Sequence, residues 1–452
     1  MSDIDKKQRV NLLNMVEIIH RHLTIGLCQR VHREIREKER QRELTLYYLV
    51  QFWTAVILRA PASLTAALLG ARGKMRDTIY PRIQTSTEAF FEKCRDLKWQ
   101  FFKALYEGFT ESILPEAPRN YGSVLGDILK RFPEIFVIDG SKLDAIRRRL
   151  KLLWKEKSVV LPGSVVAFYD LGRGITRQLL FSADAAAHEL PRAIEFLPHI
   201  PKGTLILGDR LFALTTFFRK LNENGLYGLF RRNRLVKLKK IRVLSRKQSS
   251  RTVLEDSLME AGSGQGGPKV VVRYIRYRNK GIRRDLITTV HDPALLSAEE
   301  ALQLYPFRWS VERLFFDLKE VLNLHRFYAA NPNAIAMQLY AAAIVHTACR
   351  IAQATIAQTH AITPEEISPE KFFPILASAS SSVVQIDSYH QALEKIHGHL
   401  TRPDISDFSF AATTLEAILV EKRNNKRKRK RFCPSRKRWK SLTHINGFKK
   451  LS

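Results

Sequence analysis

Two aspartates and one short stripe of mixed side chains are the places where this chain could do chemistry. Tyr305, Arg308, Glu312 and Lys319 fall within an arc of about 60° when set on a helix at roughly 100° per residue. Val311, Leu314, Phe315, Leu318 and Leu322 occupy a neighbouring arc. One face of that helix therefore meets a core, and the next carries one aromatic, two cations and one carboxylate. The plain alternative is a solvated edge, since Arg308 and Glu312 are also an ordinary i,i+4 ion pair. Asp139 and Asp209 follow two short apolar runs, residues 134–138 and 204–207. Such runs read as strands buried on both faces, and a carboxylate at the carboxyl end of one reaches the crevice there. Asp139 before Gly140 also reads as a turn residue. Asp144 and Asp170 are rival acids, but neither ends a comparably apolar strand. If the two strands lie side by side, Asp139 and Asp209 come close together. Carboxylate oxygens from such a set suit a hard divalent cation.

The elements that must position these groups follow from capping and periodicity. Ser297 with Glu300 is a capping-box pattern, so a helix starts near Ala298. Pro306 breaks or kinks it, and a second helix runs from about Phe307 past Leu322. Residues 164–170 and 175–182 read as a hairpin joined by 171–174. A helix over 184–197, a strand over 204–207, a helix over 215–224 capped by Gly225, and a strand over 226–230 follow. Asp209 and Glu312 lie 103 positions apart, too far for one loop. The intervening segment is rich in Arg and Lys, from Arg231, Arg232 and Arg234 to Arg283 and Arg284. Residues 269–278 alternate basic and apolar side chains, the pattern of a strand with one wet basic face. The glycines of 261–267 form a flexible turn and lack the ending a phosphate loop needs. Tyr274 and Tyr277 read as packing residues, with base stacking as the alternative. His291, before Asp292 and Pro293, reads as a turn residue.

The 452 residues suffice for two or three domains. A formal charge of +31 points to a polyanion, most often nucleic acid, and names the partner class without naming a reaction. Cys28, Cys94, Cys349 and Cys433 are too scattered for a disulfide framework or a zinc site, which suits free thiols in a reducing cytoplasm. The polar start has no signal-peptide pattern, and the apolar run at 44–58 is short of a membrane span. Residues 1–120 read as helical, with Phe91, Trp99, Phe102 and Tyr106 as a core stripe over 88–109. Short helices joined by a Pro turn also fit a helix-turn-helix reader of DNA. Residues 333–357 read as a buried, Ala-rich helix. Residues 421–450 hold 14 Lys or Arg and one Glu, a block suited to nonspecific electrostatic contact with DNA.

The spacing Y-x2-R-x3-E-x6-K at Tyr305, Arg308, Glu312 and Lys319 resembles the signature of bacterial insertion-sequence transposases of the DDE type. Arg308-Trp309 followed by Val311-Glu312, the Ile-Asp-Gly-Ser-Lys-Leu phrase at Asp139 and the Gly-Asp-Arg-x-Phe phrase at Asp209 are similar to motifs of the same family. Pro306 stands where that family has a polar residue. The resemblance covers roughly residues 134–350. It implies an α/β fold: a ribonuclease-H-like catalytic core over 121–350 with a mostly β insertion at about 231–285. A helical DNA-binding domain over 1–120 precedes it, and a helical, basic C-terminal region over 351–452 follows. It implies Asp139, Asp209 and Glu312 as catalytic carboxylates holding two Mg2+ or Mn2+ ions. Tyr305, Arg308, Trp309, Lys319 and Arg210 are implied to contact DNA. Some relatives place a base-holding Trp in the insertion; none is present here. The implied activity is metal-dependent DNA cleavage and strand transfer, by a homodimer on double-stranded DNA, in a bacterial cytoplasm at the nucleoid, with no membrane. A non-catalytic DNA-binding protein and a nuclease that hydrolyses without joining are the alternatives.

Overall fold

The apolar run before Asp139 forms the strand β1 (Ile135–Lys142), whose first four residues are buried. It continues three residues past Asp139, so Asp139 lies inside the strand rather than at its end. The structure, a computed structural model, describes residues 14–35, 44–72, 81, 84–122, 125–143, 163–262, 269–279, 281–324, 326–359 and 361–373. Asp144, the glycines at 264, 266 and 267 and the basic block at 421–450 lie outside the described residues.

The hairpin of β2 (Ser164–Asp170) and β3 (Ile175–Ser182) stacks antiparallel beside β1. Asp170 makes its turn. The buried carboxylate accepts from Gly172 N at 2.9 Å and Arg173 N at 3.1 Å, and pairs with Arg173 Nη1 at 2.8 Å. Both of its oxygens serve the turn, so this rival acid is structural. On the other side of β1 lie β4 (Leu205–Gly208) and β5 (Tyr227–Arg231), both parallel to it. Parallel neighbours need crossovers. These are α8 (Glu189–Phe196) and α9 (Thr215–Glu223), which bury Ala193, Phe217 and Leu221 with Phe136, Ile138 and Phe168 of the sheet. The helix expected over 184–197 starts only at Glu189. Asp184 instead folds a turn, accepting from Ala186 N at 2.7 Å, the local bonding by which Asp competes with helix. Gly225 takes φ +67 where α9 must end.

The segment 231–285 is β-structured and joins the same sheet. β6 (Lys237–Gln248), β7 (Thr252–Gly262), β8 (Val270–Asn279) and β9 (Ile282–Thr288) are antiparallel, and β9 pairs with β5. The nine strands run β3-β2-β1-β4-β5-β9-β8-β7-β6. The edge strand β6 carries Lys237, Lys239, Lys240 and Arg242 exposed, a charged edge that discourages pairing with another chain. The wet basic face expected on 269–278 is overturned at its centre. Arg273 is fully buried, donating from Nε to Asp256 Oδ1 at 3.2 Å and from Nη1 to the carbonyls of Val290 (3.1 Å) and Leu296 (2.8 Å). A guanidinium can enter a core when a carboxylate and carbonyls use its donors. Tyr274 and Tyr277 are buried packing residues, and His291 Nε2 lies 2.9 Å from Val271 O at a turn.

Among the described residues, the helices α1 (Asn14–His22), α2 (Ile25–Ile35), α3 (Leu46–Arg59), α4 (Leu64–Arg72), α5 (Thr87–Asp96) and α6 (Gln100–Ile113) come before the sheet. The stripe over 88–109 is split, because Leu97 is extended between α5 and α6. Phe102 and Tyr106 are buried, whereas Phe91 is exposed. A short α7 (Gly126–Arg131) leads into β1. These helices gather around α12 (Pro332–Thr359), which touches α1, α3, α5, α6 and β3. Among the described residues α12 is long and apolar enough to cross a membrane, yet its apolar window is wholly buried in the fold. A helix apolar on all sides becomes a core helix when others surround it. Its polar groups tie it to the sheet: Tyr340 Oη donates to Leu179 O at 3.0 Å and Arg350 Nε to Gly174 O at 3.0 Å.

Removing one member of the Arg273–Asp256 pair strands a charge in the core. Asp256→Ala should cost about 3–5 kcal/mol in denaturant unfolding, and pairing it with Arg273→Met should recover most of that loss. A loss under about 1 kcal/mol for Asp256→Ala would mean the pair is solvated in solution.

Candidate active site

The capping box forms: Ser297 Oγ accepts from Glu300 N at 3.2 Å, and Glu300 Oε2 accepts from Ser297 N at 2.9 Å. It starts α10 (Ala298–Leu304). Pro306 then converts the chain to a 3-10 turn over Tyr305–Trp309, followed by α11 (Ser310–Phe316) and a π turn over Asp317–Val321. The expected single helix from Phe307 past Leu322 is thus three kinds of helical turn, ending at Val321. Proline lacks the N–H for a regular continuation, and the wider last turn closes with Leu322 N on Asp317 O at 2.9 Å.

Tyr305, Arg308 and Lys319 all bond the ends of β1 and β4 across these changes of pitch. Tyr305 Oη donates to Gly208 O at 3.3 Å. Burial pushes its hydroxyl up to about 12, against the pull of Arg308, so it stays a donor at neutral pH. The Lys319 ammonium donates to Ser141 Oγ and Lys142 O, both at 2.9 Å. Arg308, buried, donates from Nη1 to Asp139 Oδ2 at 3.3 Å and from Nη2 to Glu312 Oε1 at 3.0 Å. Its guanidinium also lies 4.3 Å from the centre of the half-exposed Trp309 ring. One planar cation therefore holds a strand carboxylate and a helix carboxylate together.

Asp209 joins this pair through the sheet. Val137 is in register with Leu207, so Asp139 and Asp209 each stand two residues beyond that pair on adjacent parallel strands. Asp209 Oδ1 accepts from Leu211 N at 2.6 Å. Arg210 lines a cavity on the same rim. Burial raises the Asp139 carboxyl to about 7. Arg308 and the Gly140 N–H oppose that rise, while Asp209 and Glu189 add to it.

Glu189, the first residue of α8, was not singled out in the sequence. Burial foremost, then Asp209, raises its carboxyl. It fills the space a side chain at position 140 would need: a Cβ built on Gly140 would lie 2.0 Å from Glu189 Cδ. No spacing could have flagged Glu189, because packing of α8 on β2 brings it there. The one sequence hint is the absent side chain at Gly140.

Among the described residues, no three His, Cys, Asp or Glu side chains converge closely enough to hold a metal ion as they stand. The Arg308 cation lies between two of the candidate ligands. In kind, the donors of Asp139, Asp209 and Glu312 are the carboxylate oxygens that hard divalent ions take, and the mutual repulsion at Asp139 is what a bound cation relieves.

Residues 130–348 match the family described as Transposase DDE domain. A protein of Sinorhizobium fredii (strain NBRC 101917 / NGR234) that is named as a transposase, y4zB, is 33% identical over 101 residues. That alignment covers 22% of this chain and 28% of the relative, so the chain spans under a third of the relative's length.

The Asp139 carboxyl has an ordinary value of 3.8 and a folded value of about 7. Between those values the folded chain binds the extra proton. The stability it lends is full below about pH 4 and lost as pH rises through about 7. In metal-free protein, Asp139→Asn cannot ionise, so its melting temperature relative to the parent should climb from about pH 4 to about pH 8. A difference that stays flat across that range contradicts the buried, repelled carboxylate described here.

Proposed function

From the premise that residues 130–348 are a transposase DDE domain of the insertion-sequence type, we propose that this chain cleaves DNA at the ends of its element and joins the freed end to new DNA. The observation that carries the reading is the Arg308 guanidinium bonded to both Asp139 and Glu312, with Asp209 beside Asp139 on the next parallel strand. The sheet order β3-β2-β1-β4-β5 with crossovers α8 and α9 supports a ribonuclease-H-like core, interrupted by the β segment at 231–285.

In this reading Asp139, Asp209 and Glu312 hold divalent metal, two ions of Mg2+ or Mn2+. When bound, such ions activate a water and stabilise the leaving oxygen of a phosphodiester. Hydrolysis places the water oxygen on phosphorus and a proton on the departing 3′ oxygen. The element keeps a 3′-hydroxyl, and the flanking strand keeps a 5′-phosphate. In joining, the 3′-hydroxyl oxygen attacks a target phosphorus and displaces a target 3′ oxygen, which takes up the proton.

The chain's own groups orient this chemistry. Arg308, once a phosphate replaces its carboxylate partners, presents two donors in a plane that matches phosphate oxygens. Lys319 steadies the end of β1 and adds a second cation for the adjacent phosphate. Tyr305 offers a protonated hydroxyl, and Trp309 an exposed ring face for a base. Arg210 meets the backbone beyond Asp209. The substrate is double-stranded DNA, terminal repeats and target alike, and the acting form is a homodimer. The N-terminal helices over 1–120 are proposed to contact the repeats.

Asp139→Ala, Asp209→Ala and Glu312→Ala should each lower Mg2+-dependent nicking of end-bearing DNA by at least about a thousandfold. DNA affinity, read by a mobility shift without metal, should change by no more than about twofold. Near-parental nicking by any one variant removes that residue from the site. No nicking by the parental chain with intact ends favours a binding protein without catalysis, and nicks without joined products favour a plain nuclease.

A further inference from the structure

The rim of Asp209 opens into a cavity of about 760 Å3, most of whose lining the chemistry above does not use. It lies between the loop after β4 and the turn from β5 into β6. Five arginines line it, including Arg210, Arg231, Arg232 and Arg234, against two aspartates. One of those acids, Asp285, is already committed. It accepts from Tyr274 Oη at 2.6 Å, Arg278 Nη2 at 2.8 Å and Arg283 Nε at 3.2 Å. The others carry the free charge: Arg210, Arg231 and Arg234 are exposed and have no carboxylate partner among the described residues.

Arg232 is held in the wall of the cavity. Its guanidinium stacks 5.3 Å from the Tyr274 ring centre, and Nη1 reaches Tyr274 Oη at 3.5 Å. Its Nε is buried with no hydrogen-bond partner. The walls are also braced. Asn233 Nδ2 donates to Arg210 O at 3.0 Å, and Asn233 Oδ1 accepts from Leu235 N at 3.0 Å. The opening is therefore set before any ligand arrives.

We propose that this cavity binds the terminal 5′-phosphate of a DNA strand. An internal diester carries one negative charge, whereas a terminal phosphate carries roughly two and three acceptor oxygens. The surplus of exposed arginine fits the second. The inference rests on the cleavage reading, since hydrolysis at the element end is the reaction that makes a 5′-phosphate beside Asp209. The pocket would hold the flanking strand after the cut and keep it from the freed 3′-hydroxyl.

The test is fluorescence anisotropy at fixed salt, with the full chain and three short single-stranded oligonucleotides of one sequence. One bears a 5′-phosphate, one a 5′-hydroxyl and one a 3′-phosphate. The 5′-phosphate oligonucleotide should bind about tenfold tighter than the 5′-hydroxyl one, the size of one charge-assisted contact. Arg231→Ala and Arg234→Ala, both exposed and safe for folding, should erase that preference. Equal binding of all three, or a uniform loss in both variants, overturns the proposal and leaves a general track for internal phosphates. Equal preference for the 3′-phosphate overturns it too. Nicking of end-bearing DNA is scored separately. A chain that nicks but ignores the 5′-phosphate fails this proposal alone, and one that prefers the 5′-phosphate but never nicks fails the cleavage reading.

Discussion

One guanidinium ties the two halves of this site together. Asp139 belongs to the sheet, Glu312 to the helical segment that follows the β insertion, and Arg308 bonds both. Without a cation there, a half-buried carboxylate on β1 would face Asp209 and Glu189 with only the Gly140 N–H to offset them. Like charges in a partly desolvated crevice are tolerated only when a positive group is near. The arrangement constrains its surroundings, since Arg308 must stay planar between two elements that do not adjoin in sequence. Tyr305 on Gly208 and Lys319 on Ser141 and Lys142 fix the same helical segment to the same strand ends.

The rest of the fold keeps that junction rigid. Strand β1 is buried up to Ile138 and β4 throughout, so the strands that lead to the site are anchored in the core. The insertion does not hang off the core as a separate lobe. Its strand β9 pairs with β5, so the sheet runs unbroken from β3 to β6. This continuity sets the arginines of the β5–β6 turn against the rim of Asp209. At the β3 edge α12, buried along its apolar window, is the post around which the N-terminal helices pack, and it reaches the sheet through Tyr340 and Arg350.

Much of this was legible in the residues, and the parts that were not share a cause. The order of β1 to β5 with two crossover helices follows from short apolar runs, a hairpin and a Gly225 cap. The capping box at Ser297 marks the start of α10 to the residue. The α/β character and the β-structured insertion were readable in the same way. Where local pattern competes with tertiary burial, reading fails. Arg273 alternates like a wet basic residue, yet Asp256 and two carbonyls take it into the core. Pro306 announces a break without revealing that 3-10, α and π turns would follow. Glu189 has no pattern at all; it reaches the site because α8 packs where Gly140 leaves room.

In the function proposed above, Asp139, Asp209 and Glu312 hold metal together once Arg308 gives way. The most direct measurement is a crystal structure of the chain soaked in Mn2+ with an oligonucleotide bound, read from the anomalous scattering of the metal. The account predicts manganese within about 2.0–2.3 Å of carboxylate oxygens from all three residues, with Arg308 turned to a phosphate. Manganese bound elsewhere, with Arg308 still bridging Asp139 and Glu312, would contradict it.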